Sequence, residues 1–183
     1  MTDNKSKLNG YPIQGCLDRD SIRKLIQETP SLMEGVRDLE TQLQPNGIDL
    51  TLSEISSFSS AGKLAIDNSD RVISEVKPIV WGSDDMLHLT SGSYLIEVNE
   101  KVNLPLYLMA LSKPRSSLLR SGVAIHNAIW DAGYSGKAQA LMVVYNRNGF
   151  SVSRYARIMQ LVFYTLTSAV KEGYKGIYSD GEL

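Results

Sequence analysis

The sequence predicts a mainly β fold, a compact barrel or sandwich with one short helix near its N-terminus. Three observations carry this expectation. Short apolar or alternating runs, rich in β-branched and aromatic residues, recur at 48–52, 93–98, 104–111, 123–130, 138–145 and 158–166. Turn-forming clusters separate them, at Pro45-Asn46-Gly47, Gly82-Ser83-Asp84, Ser91-Gly92-Ser93 and Asn146-Arg147-Asn148-Gly149. Clear helical periodicity occurs once only. Many short strands with little helix between them bury their apolar faces by closing or stacking.

In chain order, "LDRDSIRKLIQET" is the helix: Ile22, Leu25 and Ile26 recur at helical spacing, Asp20 or Ser21 can cap it, and Pro30 marks its end. The strand at 48–52 follows a Pro-Asn-Gly turn and carries Asp49. From 53 to 85 the chain is Ser-rich and polar, and is expected to form loops with one or two edge strands. Pro114-Arg115-Ser116-Ser117 reads as a turn. The run at 123–130 ends on a lone acid, Asp131, followed by Gly133, Tyr134 and Gly136. The last apolar run holds Gln160, with Arg154 and Arg157 just before it. Residues 173–183, with little aliphatic content, are expected to be a mobile tail. No repeat or boundary divides the chain, so 1–183 is expected to be one domain.

Composition narrows the function. A chain of 183 residues with 43% hydrophobic and 21% charged residues suits one globular domain. The formal net charge of −1 lacks the dense basic footprint of a nucleic-acid binder. Any polyanion must be met by a local cluster of positive charge. One cysteine, Cys16, excludes an intrachain disulfide and fits a reducing compartment. There is no apolar signal core at the start and no apolar run of about 18 residues, so the expectation is a soluble, cytoplasmic protein without membrane contact. A single cysteine cannot supply the ligands of a zinc deaminase. The phosphate loop G-x-x-x-x-G-K-[ST] and G-x-G-x-x-G are missing. With only His88 and His126, and no G-x-S-x-G, a serine-hydrolase triad is not expected.

Four features carry chemistry, each with an ordinary alternative. Arg115 presents a rigid fork of donors matched to phosphate oxygens, with Ser116 and Ser117 beside it; such a triplet also makes a solvated turn. Asp131 is awkward as a buried unpaired charge; it either does chemistry or closes an Asx turn. Gln160, among Ile, Met, Leu and Val, needs hydrogen-bond partners if buried. Asp49 lies inside an apolar strand.

Taken in order, these segments resemble the motifs of the trimeric dUTPase and dCTP deaminase superfamily, in the style of its archaeal members. "PNGIDLTL" is similar to the first motif, "PRSSLLRSG" to the second, "IWDAGYSG" to the third and "RIMQLVF" to the fourth. The resemblance spans residues 45–166. Pro114 stands where the family usually has Gly, and the interval from Arg115 to Asp131 is one residue shorter than in many relatives.

The resemblance implies a distorted β-barrel of the dUTPase-like (β-clip) type and a homotrimer with shared active sites. It implies hydrolysis of dUTP to dUMP and pyrophosphate with Mg²⁺, which limits uracil in DNA and supplies dUMP. Asp131 takes the role of the acid that activates the attacking water, and Tyr134 that of the ring under the deoxyribose. Arg115, Ser116, Ser117 and Gln160 take the phosphate contacts, and Asn127 helps read uracil. Asp49 is left a structural or outer-sphere metal role. Tyr174, Lys175 and Tyr178 are the tail residues expected over the nucleotide. The family's deaminases carry a Glu five residues after the closing Gly of the third motif; that position is Leu141 here, which implies hydrolysis without deamination. A regulatory module that binds dUTP, and a dCTP deaminase with a relocated acid, are the alternatives.

Overall fold

The computed structural model describes residues 15–176, and ahead of them the backbone of a small hairpin, β1 (Lys7–Leu8) with β2 (Tyr11–Pro12). Helix α1 (Arg19–Gln27) follows. Its cap is Asp18, whose side chain accepts from the Ser21 amide at 2.8 Å, one turn earlier than Asp20 or Ser21 would set it. Ile22 is buried, and Leu25 and Ile26 pack against the core from the same stripe.

The elements that follow are β3 (Met33–Glu34), α2 (Leu39–Gln42), β4 (Leu43–Gln44), β5 (Gly47–Phe58), a 3₁₀ turn (Asn68–Asp70), β6 (Val76–Pro78), β7 (Met86–Leu89) and β8 (Gly92–Asn103). After these come β9 (Leu108–Pro114), α3 (Ser116–Arg120), β10 (Val123–His126), β11 (Ser135–Val144), β12 (Phe150–Ser153) and β13 (Arg157–Thr165). Strands β10-β11-β8-β5-β13-β9 form one antiparallel sheet in that order. A single bridge, Ala110 with Trp130, joins β9 back to the chain just after β10, through hydrogen bonds of 3.0 and 3.1 Å. The sheet is therefore a nearly closed barrel. Strands β3, β4 and β6 pad its flanks, and β12 pairs with β7 apart from it.

Alternation fixes which face is inside. On β8, Ile96, Val98 and Val102 are buried; on β11, Ala138, Ala140, Met142 and Val144; on β13, Met159, Leu161 and Phe163. These side chains fill the barrel.

Local expectations shift in four places. Strand β5 runs on through the Ser-rich stretch to Phe58, because β8 and β6 supply partners that the local sequence does not announce. The segment at 104–111 becomes strand only from Leu108, after Pro105. The Arg-Ser-Ser triplet is the start of a short helix with Arg115 as its N-cap residue, not an isolated turn. The run at 123–130 leaves the sheet after His126 and returns only at Trp130. Among the described residues, no helix is long and apolar enough to cross a membrane.

Candidate active site

Register on β13 assembles one half of the site. Gln160 is opposite Asp49 of β5 on one side and Lys113 of β9 on the other, and residues directly opposite in antiparallel strands share a face. Asp49 is only 2% exposed. Its Oδ2 accepts a charged pair of contacts, from Arg115 Nε at 3.2 Å and Arg157 Nη1 at 3.4 Å. Arg115 is set there by its own backbone, whose amide donates to the Ile158 carbonyl at 3.0 Å. As an N-cap residue it makes no side-chain capping bond, which leaves the guanidinium for Asp49. Burial pushes the Asp49 carboxyl above its ordinary value, while Arg115 and then Arg157 pull it down. Two guanidiniums against Asp49, with the exposed Lys113 opposite Gln160, give the surface of this row the local positive charge a polyanion requires.

Gly47 is needed for proximity. A Cβ there would lie 2.5 Å from the Leu161 carbonyl oxygen and 2.7 Å from Gln160 Nε2. The bare backbone lets the Gln160 side chain lie across the start of β5. Among the described residues the Gln160 amide makes no hydrogen bond, so it is available to a ligand.

Beneath the row lies a polar network absent from the motif reading. Glu100, with 0% exposure, accepts from Gln42 Nε2 at 2.8 Å, the Thr51 amide at 2.9 Å and Thr51 Oγ1 at 2.6 Å. Gln42 Nε2 also donates to the Asp49 carbonyl at 2.9 Å. The signal was present, since Glu100 falls in phase with the buried Ile96, Val98 and Val102. Lys113 was also missed.

The second half is the turn at 131–134. The Tyr134 amide donates to the Asp131 carbonyl at 3.1 Å, and Gly133 sits at φ +81°, which marks a type II turn with glycine where it is required. The Asp131 carboxylate is exposed and unpartnered among the described residues. Tyr134 is 8% exposed and its hydroxyl donates to the Lys137 carbonyl at 3.1 Å. Burial raises its phenol above the ordinary value, with Tyr174 and Glu97 adding to the effect. Tyr174 lies against it edge-on, ring centres 5.6 Å apart. Lys175 is exposed and pairs with Glu172 at 2.6 Å; Tyr178 lies outside the described residues.

Beside Lys113, a cleft of about 470 Å³ runs between the end of β9 and β10, lined by Ser112, Lys113, Pro114, Leu119, His126 and Asn127 among others; none of residues 131–134 lines it. Among the described residues, Asn127 Oδ1 is buried without a hydrogen-bond partner, a cost unless a ligand donor meets it. Ser116 and Ser117 are exposed in the first turn of α3. Within one chain, however, the halves do not meet. Trp130 faces Ala110, five residues before Arg115 on β9, and five extended residues span about 16 Å.

The comparisons with known proteins can be set against this geometry. The sequence profile of the dCTP deaminase-like family matches residues 16–166. The chain is 49% identical over 164 residues to a protein of Methanosarcina acetivorans named probable deoxyuridine 5'-triphosphate nucleotidohydrolase, covering 90% of this chain and 96% of that one. A protein of the same name from Archaeoglobus fulgidus is 43% identical over 162 residues, covering 88% and 94%. In fold, the chain is similar to the crystal structure of 2'-deoxycytidine 5'-triphosphate deaminase from Agrobacterium tumefaciens. The TM-score is 0.63 at 20% identity, covering 83% of this chain and 48% of that one.

Proposed function

The chain belongs to the dCTP deaminase-like family, and within it we propose that this protein is a dUTP nucleotidohydrolase, releasing dUMP and pyrophosphate. The observation that carries this reading is the cationic row around Gln160: Arg115 and Arg157 converge on the buried Asp49, and Lys113 stands opposite Gln160 on β9, in a chain of net charge −1. Relatives at 43–49% identity that bear the dUTP nucleotidohydrolase name support it.

In this reading the triphosphate lies along that row. Arg115 presents its fork, held in register by Asp49, and Gln160 and the Ser116 and Ser117 hydroxyls add donors. Asp131, exposed and unpaired, holds a water against the α-phosphate and takes its proton as the phosphorus–oxygen bond forms and pyrophosphate leaves. Tyr134 fills the space a 2'-hydroxyl would need, Asn127 meets a donor of the base, and Lys175 brings a further cation from the tail.

Mg²⁺ fits as a companion of the substrate. Among the described residues no three of His, Cys, Asp and Glu cluster to hold it, and Asp49 Oδ2 is taken by two guanidiniums, which leaves Oδ1 for an outer-sphere contact. Bound on phosphate oxygens, the ion supplies neutralisation of the pyrophosphate charge. The five strand residues, about 16 Å, that separate Arg115 from the Ala110–Trp130 bridge leading into the turn support a homotrimer in which one subunit's Asp131 serves its neighbour's Arg115. A cytoplasmic setting accords with the single cysteine.

Incubation with each dNTP and Mg²⁺, assaying pyrophosphate and ammonia separately, tests the reading. We expect dUTP to be split and dCTP to remain intact. Leu141, which stands where the family's deaminases carry their acid, lies between Leu95 of β8 and His126 of β10 and cannot shuttle a proton. Ammonia from dCTP at a rate comparable to dUTP hydrolysis would overturn it.

A further inference from the structure

The C-terminal segment is expected, from the resemblance, to reach the nucleotide. Its first residues also make contacts within their own chain. After β13 the chain is tacked along the 105–107 loop, with the Leu166 amide on the Tyr107 carbonyl and the Val170 amide on the Leu106 carbonyl, both at 2.9 Å. It then crosses the 131–134 turn. Gly173 and Gly133 meet backbone to backbone: a Cβ on Gly133 would lie 2.6 Å from Gly173 Cα, and one on Gly173 would lie 2.9 Å from Gly133 Cα. That contact seats the Tyr174 amide 2.9 Å from the Ala132 carbonyl and sets its ring edge-on to Tyr134, at 70° between planes.

Tyr134 is otherwise fixed at its two ends. Its backbone is held by the turn and by the Leu104 amide, which donates to its carbonyl at 2.8 Å; its hydroxyl is held by Lys137. These two anchors leave the ring its rotation about the axis that joins them, and the edge-on Tyr174 bears on that rotation. We propose that Tyr174 is a positioning residue for sugar selection: it braces the Tyr134 ring from its own chain and so sets the space denied to a 2'-hydroxyl. The proposal rests on the reading of Tyr134 as the residue under the deoxyribose.

The test compares kcat/KM for dUTP and UTP in the full-length protein and in Tyr174→Ala, Tyr174→Phe and Tyr134→Ala, each assayed well below its own melting temperature. Tyr174→Ala should lower the dUTP-over-UTP ratio by about three- to tenfold, the scale of an edge-to-face ring contact. Tyr174→Phe, which keeps the ring, should restore it. Equal losses for both nucleotides in Tyr174→Ala would overturn the proposal and return this residue to general nucleotide contact. If Tyr134→Ala itself leaves the ratio unchanged, the underlying reading of Tyr134 fails, and the proposal with it.

Discussion

The two halves of the site are built in opposite ways. The phosphate row is locked into the barrel: Asp49 is buried, two guanidiniums fix it, and Glu100 and Gln42 support the strand beneath. The turn at 131–134 leaves the sheet, exposes its acid, and is steadied by one type II turn and a strap from the chain's end. The difference separates binding from reaction. Substitutions in the row should act on affinity and on how stability varies with pH, whereas substitution of the exposed Asp131 in the turn should act on turnover in a fold that does not notice it.

Asp131→Asn should produce the largest effect. Turnover should fall by about 10²- to 10⁴-fold, the contribution of a positioned proton acceptor, while dUTP affinity and melting temperature stay unchanged. Quench-flow turnover beside calorimetric binding checks this; an equal loss of both would erase the contrast between the halves.

Deleting residues 173–183 should come next, with a folded protein whose kcat/KM for dUTP drops by about ten- to a hundredfold, as lids that align groups and exclude water do. Steady-state kinetics on the truncated chain decide it, and wild-type efficiency would reduce the segment to a bystander.

Asp49→Asn sharpens the comparison from the other side. The folded carboxyl titrates above its ordinary value. From that ordinary value up through the raised one, the native state therefore holds more proton than the unfolded state, and this group's contribution to stability falls as pH rises. The amide removes that slope. The melting temperature of Asp49→Asn relative to wild type should accordingly improve with pH, reaching parity or better at neutrality, while KM for dUTP rises about tenfold because Arg115 loses its partner, roughly 1.4 kcal/mol. Thermal melts across pH with parallel kinetics test both parts. A variant that falls below wild type by as wide or a wider margin at pH 7 than at pH 4 would make the carboxylate a net support of the fold.

How much of this was readable in advance follows the same division. Asp49, Arg115, Asp131, Tyr134 and Gln160 stand out because each is chemically out of place in its own segment, and their order links them. Lys113 was invisible, because its placement beside Gln160 depends on β9 pairing with β13, some fifty residues apart in sequence. Half of β5 was hidden for the same reason, since serines carry no strand signal until partners arrive. Glu100 is the instructive omission: its phase in β8 was plain, but an acid in phase with core residues makes sense only once Thr51 and Gln42 are seen to donate to it. Local chemistry was legible, and pairing across distance was not.

Strand β5, at the centre of the sheet, takes one of its two long neighbours from residues 157–165, more than a hundred positions later. During synthesis, then, β5 can pair with β8 and, at Ser56–Phe58, with β6, while its edge at 48–51 stays bare until β13 has left the ribosome. For that interval the nascent chain displays an open ladder of donors and acceptors beside Ile48, Leu50 and Leu52. A chain stalled or cut before residue 157 should be found in aggregates, and the speed with which the ribosome delivers its last strand becomes a determinant of yield.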